Sequence, residues 1–105
     1  MYCISIQIQP TFAREFNRDA FLQRVRPIRS PEVDTYEEKG KLFVSFNFFT
    51  EFPQQLWPAL QNTLYRDSEY RSIISPISVA ICENEATGDC LLLHHFDANE
   101  PLDTL

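Results

Sequence analysis

The sequence predicts an α+β fold: a ferredoxin-like β-α-β-β-α-β antiparallel sheet with an extra C-terminal hairpin strand and the helices on one face. Three observations lead there. Five β-prone stretches are separated by turn signals, and in most of them apolar and polar residues alternate. Two stretches between them space their apolar residues at helical intervals instead. The chain has 105 residues, 44% hydrophobic and 13% aromatic, enough for one core and too few for two. A single domain over 1–97 is expected, followed by an acidic tail over 98–105 that frays.

Tyr2–Gln9 reads as the first strand, with Tyr2, Ile4, Ile6 and Ile8 facing inward and Cys3, Ser5, Gln7 and Gln9 facing away. Pro10 and Thr11 end it. A helix follows on Phe12, Phe16, Ala20, Phe21, Val25 and Ile28, with Asn17 as N-cap, Asp19 in the first turn and Pro27 as the stop. On that reading Phe12–Phe16 is a lead-in or a separate short turn. Pro31–Glu38 is an acid-rich strand suited to a sheet edge, where charge discourages pairing with another chain. Glu38-Lys39-Gly40-Lys41 is a hairpin turn in which Gly40 supplies positive φ. Lys41–Phe49 is the most apolar and β-prone stretch and is expected at the centre of the sheet. Leu42, Val44, Phe46 and Phe48 take one face, and Phe43, Ser45, Asn47 and Phe49 the other.

Pro53–Arg66 is the second helix, with a Leu56, Leu60, Leu64 stripe beside Trp57. Pro58 is a candidate for its true first position. Asp67–Ser75 reads as a loop. Ile77, Val79 and Ile81, alternating with Ser78, Ala80 and Cys82, form the fourth strand. Gly88 is the left-handed residue of the following turn, and Cys90–Phe96 returns as the fifth strand.

Several chemistries are argued against by composition and spacing. The N-terminus has no basic segment ahead of an apolar block, and no apolar run approaches the ~20 residues of a membrane helix, so a cytoplasmic protein without a membrane partner is expected. Cys3, Cys82 and Cys90 are odd in number and lack C-x-x-C spacing; they read as reduced and mostly buried. His94 and His95 are strand neighbours and point to opposite faces. Cys90 and His94 share a face on a regular strand but lie roughly 13 Å apart at ~3.3 Å per residue, too far for one zinc ion. No metal site and no cofactor are expected. A Cys–His nucleophile needs an electropositive setting, and the segment around Cys82, Cys90, His94 and His95 has no Lys or Arg. Gly40 and Gly88 are the only glycines, so no phosphate-cradling loop exists.

The charge layout carries the functional expectation. The net charge is −6. Arg14, Arg18, Arg24, Arg26 and Arg29 crowd the first helical region; they read as a solvated helix face, paired in part with Glu15 and Asp19, in preference to an anion site. No cation follows Arg71, whereas Glu83, Glu85, Asp89, Asp97, Glu100 and Asp103 do. A surface of this sign opposes phosphate and suits basic partners, so nucleic acid is not expected as a ligand. The reading is a non-catalytic protein-binding module. Its sharpest version is an acidic inhibitor, of the immunity-protein or antitoxin kind, that neutralises a basic partner such as a nuclease. The expected contact residues are Asp34, Glu37 and Glu38 on the edge strand, Glu83, Glu85 and Asp89 on the last hairpin, and Phe43 and Phe49 as apolar anchors. The alternative is a homodimeric scaffold or small-ligand module that pairs with itself through the sheet face bearing Phe43 and Phe49.

Overall fold

β1 (Tyr2–Ile8) runs through the middle of a five-stranded antiparallel sheet of order β2-β3-β1-β4-β5, in a computed structural model that describes residues 1–105. β2 spans Glu32–Glu38, β3 Lys41–Thr50, β4 Ser78–Asn84 and β5 Cys90–His94. β1 pairs with β3 on one side, Ile6 opposite Phe46, and with β4 on the other, Ile6 opposite Ala80. The expectation that Lys41–Phe49 is the central strand is corrected by one position: β5 lengthens the β4 side of the sheet, so the middle falls on β1. The acidic strand β2 does form an edge, and all seven of its residues are exposed.

Residues opposed across antiparallel strands share a face, so pairing sorts the sheet into two surfaces. On one lie Ile4, Ile6 and Ile8, Val44, Phe46 and Phe48, and Ala80 and Cys82, all buried in a single cluster. Every helix delivers its buried residues to that cluster. The short α1 (Pro10–Ala13) gives Ala13, α2 (Arg18–Val25) gives Phe21 and Val25, and α4 (Arg71–Ile74) gives Ile74. α3 (Pro53–Leu64) gives the Leu56, Leu60, Leu64 stripe with Trp57. Phe21 docks α2 onto β3, its ring centroid 4.2 Å from that of Phe46, and Phe16 closes the cluster edge-on to both. No helix is long and apolar enough to cross a membrane.

Local chemistry explains the element ends. Asn17 caps α2, its Oδ1 accepting from the Ala20 amide at 3.1 Å, as its side chain and position suggest. Phe12 is 41% exposed and Ala13 takes the buried place, because Pro10–Ala13 is its own turn and does not continue the phase of α2. Pro53 occupies the first turn of α3 and Pro58 lies inside the helix, which corrects the placement of Pro58 at its start. Pro58 is on the exposed side, where water can serve the carbonyl that its missing N–H leaves free. The Asp67–Ser75 segment contains α4 and leads into a 3-10 turn over Ser75–Ile77. The β2–β3 turn places both Lys39 (φ 52°) and Gly40 (φ 77°) in the left-handed region, the pattern of a type I′ hairpin.

The C-terminal segment departs most from expectation. A register shift between Ala80 and Ile81 sets His94 opposite Ala80, on the helix side, whereas Cys90 lies opposite Glu83 on the other face. The two therefore do not share a face. The tail is also anchored rather than frayed. The Asp103 amide donates to the Leu92 carbonyl and the Leu92 amide donates to Asp103 Oδ2, each at 2.8 Å, which covers part of the outer edge of β5.

Candidate functional site

The second face of the sheet has no helix over it. Its side chains form a shallow basin of about 900 Å³ that runs across β2, β3, β1 and β4. The floor is apolar at both ends. Phe43, Phe49, Val79 and Ile81 line it and remain partly exposed. On β4 the larger residues Val79 and Ile81 face the basin, and the smaller Ser78, Ala80 and Cys82 lie under the helices. Phe96, beyond the end of β5, lines the rim and is 38% exposed.

A polar cluster crosses the centre of the floor. Ser5 and Ser45 approach at 2.7 Å, each hydroxyl lies 2.8 Å from Asn47 Oδ1, and Asn47 Nδ2 donates to Asp34 Oδ2 at 2.9 Å. Three adjacent strands supply these residues: β1 gives Ser5, β3 gives Ser45 and Asn47, and β2 gives Asp34. Beside the cluster the Tyr36 and Phe43 rings stack at 4.9 Å with 9° between their planes. That pair follows from the hairpin, because a two-residue turn at Lys39-Gly40 sets Tyr36 directly opposite Phe43.

The charged residues lining the basin are Asp34, Glu83 and Glu85; no Lys, Arg or His lines it. Glu32, opposite Asn47, adds a fourth acid on the same face. Their field is felt at Cys3, whose thiol is raised from 9.0 to about 11, chiefly by burial and then by Glu85 and Glu83. The arginines lie elsewhere. Arg14 pairs with Glu37 at 3.0 Å, Arg24 with Asp67 at 3.6 Å, and Arg29 donates to the Phe49 carbonyl at 3.0 Å. The expected pairing of these arginines with Glu15 and Asp19 on their own helix does not form.

Of the eight expected contact residues, the structure brings Asp34, Phe43, Phe49, Glu83 and Glu85 to the basin. It does not bring the other three. Glu37 alternates to the opposite side of β2 and is taken by Arg14. Glu38 stands at the hairpin turn opposite Lys41. Asp89 serves its own turn, its carboxylate accepting from the Thr87 hydroxyl at 3.1 Å. Ser5, Tyr36 and Phe96 were not among the expected residues. Tyr36 was within reach of the hairpin register; Ser5 needed the pairing of β1 with β3.

Of the Cys and His candidates for nucleophilic or metal chemistry, Cys82 and His94 lie on the helix side of the sheet. Burial pushes the Cys82 thiol up, away from the thiolate a nucleophile needs. His94 packs on the Tyr65 ring at 4.1 Å and binds the Ser75 carbonyl at 3.0 Å, and burial holds its pKa below 6.5. Cys3 and Cys82 are buried, in line with the expectation of mostly buried cysteines, and Cys90 is exposed. No three His, Cys, Asp or Glu side chains gather where they could hold a metal ion. In comparison with known proteins, the chain matches no family model, no curated protein and no solved structure.

Proposed function

We propose that this chain is a protein-binding module that receives a basic partner on the open face of its sheet. One observation carries the reading: the basin combines a partly exposed apolar floor with carboxylates as its only charged lining. Partly exposed apolar side chains gathered on one open sheet face favour an interaction surface, and aromatic residues within a polar rim are the usual anchors of one. The acids set the sign of the partner and would speed its approach at low salt. The sharpest form of the proposal is an acidic inhibitor of the immunity-protein or antitoxin type, acting on a basic protein such as a nuclease in the cytoplasm, where free cysteines persist. We also read the first six main elements as the ferredoxin-like split βαβ arrangement. In its support, β1 and β2 run parallel on either side of β3, as β3 and β4 do on either side of β1.

The apolar floor also suits a second copy of the chain. Two-fold pairing of this face, however, would bring the acids of both copies into one contact with no cation lining either basin. Charge therefore favours the basic partner. The test is affinity capture from the native cell at low and at high salt, with mass spectrometry of the bound fraction. A stoichiometric basic protein, held at low salt and released at high salt, supports the proposal. Recovery of the chain's own subunits alone contradicts it.

A further inference from the structure

We propose that the Asp34 corner of the basin is an arginine-binding position, at which a guanidinium of the partner pairs with Asp34 and lies over the Tyr36–Phe43 stack. This rests on the basic-partner reading above and names the side chain the partner must bring.

The proton count in the floor cluster points to a donor ligand. Ser5 Oγ, Ser45 Oγ and Asn47 Oδ1 form a closed triangle of contacts at 2.7, 2.8 and 2.8 Å. Two hydroxyls bring only two protons, so at most two of the three edges are hydrogen bonds at once. A relay in which Ser5 donates to Ser45, and Ser45 to Asn47 Oδ1, spends both. The Asp34 carboxylate then sets the amide orientation: it accepts from Asn47 Nδ2 at 2.9 Å, and a turned amide would press Oδ1 against it. What the cluster still offers is mainly acceptor capacity. Hydroxyl lone pairs remain, and Asp34 Oδ1 accepts no hydrogen bond and has no cation within ion-pair distance.

The neighbouring rings select arginine over lysine. Tyr36 is 56% exposed although it stacks on Phe43, so its outer face is bare. Asp34 and Tyr36 are two residues apart on one face of β2, about 7 Å along the strand. At that spacing a guanidinium paired with the free Asp34 Oδ1 can reach to within ~6 Å of the Tyr36 ring. A flat guanidinium presents its fork to a carboxylate and its plane to a ring together, which a compact ammonium does not do. The chain already holds one filled example of this arrangement. Arg24 lies 3.6 Å from Asp67 Oδ2 with its guanidinium 4.3 Å from the Tyr70 ring centroid. At Asp34 and Tyr36 a carboxylate and a ring share one face of β2, and no Arg or Lys of the chain pairs with that carboxylate. Glu83 and Glu85 occupy the opposite corner, roughly 20 Å away by strand spacing and rise, so one side chain cannot serve both ends.

The experiment titrates the isotope-labelled full chain with acetyl-Gly-Arg-Gly-amide and with its lysine counterpart, following backbone amide shifts. The arginine peptide is expected to move the Asp34, Tyr36 and Phe43 amides with millimolar affinity. Asp34→Asn is expected to weaken it about fivefold or more, Tyr36→Ala about threefold, and the lysine peptide is expected to bind several-fold more weakly. Both positions are on the exposed edge strand, and unchanged thermal midpoints of the variants show that the fold is kept. Equal binding of the two peptides, shifts centred on Glu83 and Glu85, or indifference to Asp34→Asn overturns this inference while leaving the basic-partner reading in place. Absence of any sheet-face shift at about 10 mM peptide also overturns it. The capture experiment decides the basic-partner reading independently of these outcomes.

Discussion

On the helix side of the sheet, Ile4, Ile6, Phe46 and Phe48 are fully buried, whereas on the other side Phe43, Phe49, Val79 and Ile81 stay partly exposed. The polar residues differ as well. Under the helices the Ser78 hydroxyl, 0% exposed, donates to the Ile74 carbonyl at 2.7 Å and accepts from the Tyr65 hydroxyl at 2.8 Å. No buried side-chain polar atom of the molecule lacks a partner. In the basin, Ser45, Asn47 and Asp34 form a cluster that retains free acceptor capacity toward solvent. The same strands build both surfaces, because successive side chains alternate between them. One face is closed and holds the fold together. The other is open, and the charged residues lining its basin are carboxylates.

The contrast breaks most sharply at the phenylalanines of β3. Phe46→Ala removes a fully buried ring packed on Phe21 and is expected to cost about 3–5 kcal/mol in chemical denaturation. Phe43→Ala, one face away, is expected to cost about 1 kcal/mol or less, since its ring is already partly in water. Similar losses at the two positions would mean that the open face is part of the core.

The hydroxyls sharpen the comparison at a smaller scale. Ser78→Ala leaves the Tyr65 hydroxyl buried without its acceptor and is expected to cost about 1–3 kcal/mol. Ser45→Ala leaves Asn47 Oδ1 near solvent and is expected to cost well under 1 kcal/mol by the same denaturation measurement.

The smallest effect is a pH dependence seated on the closed face. Burial holds His94 below its ordinary 6.5, so the unfolded chain binds this proton more readily than the folded one. The stabilisation from His94 is complete above about pH 6.5 and is lost as pH falls toward the folded value. Stability measured from pH 7.5 down to 5 is expected to decline, and His94→Gln to flatten that decline. Asp67, also held below its ordinary value, chiefly by the Tyr70 amide, acts only near and below pH 3.8 and does not overlap this window. An unchanged slope in His94→Gln would remove His94 as the cause.

Much of the fold was legible because it is written in local pattern. The Lys39-Gly40 turn, the Asn17 cap and the alternation of Lys41–Phe49 each act within a few residues. The five basin residues among the expected contacts were legible for the same reason: alternation put Phe43 and Phe49 on the second face, and charge marked Asp34, Glu83 and Glu85. The misses come from interactions distant in sequence. Glu37 and Asp34 are indistinguishable by charge; alternation along β2 turns Glu37 to the other face, where Arg14, distant in sequence, pairs with it. His94 changes sides through a register shift that no residue type announces. On β4 size is a poor guide: Ser78, Ala80 and Cys82 lie under the helices, while Val79 and Ile81 face the basin. Asp103 reaches back to Leu92 from a segment whose composition suggested only solvent.

Binding by the open face, and not by the arginine-bearing helices, can be decided with two charge-reversed chains in one capture experiment. The first carries Glu83→Lys and Glu85→Lys on the basin rim, the second Arg18→Glu and Arg26→Glu on the helix side; each is compared with the native chain for recovery of the same basic protein at low salt. Loss of that protein by the rim variant, at least tenfold, with full retention by the helix variant is the expected result. Retention by the rim variant with loss by the helix variant would contradict it and move the interface to the other side of the molecule.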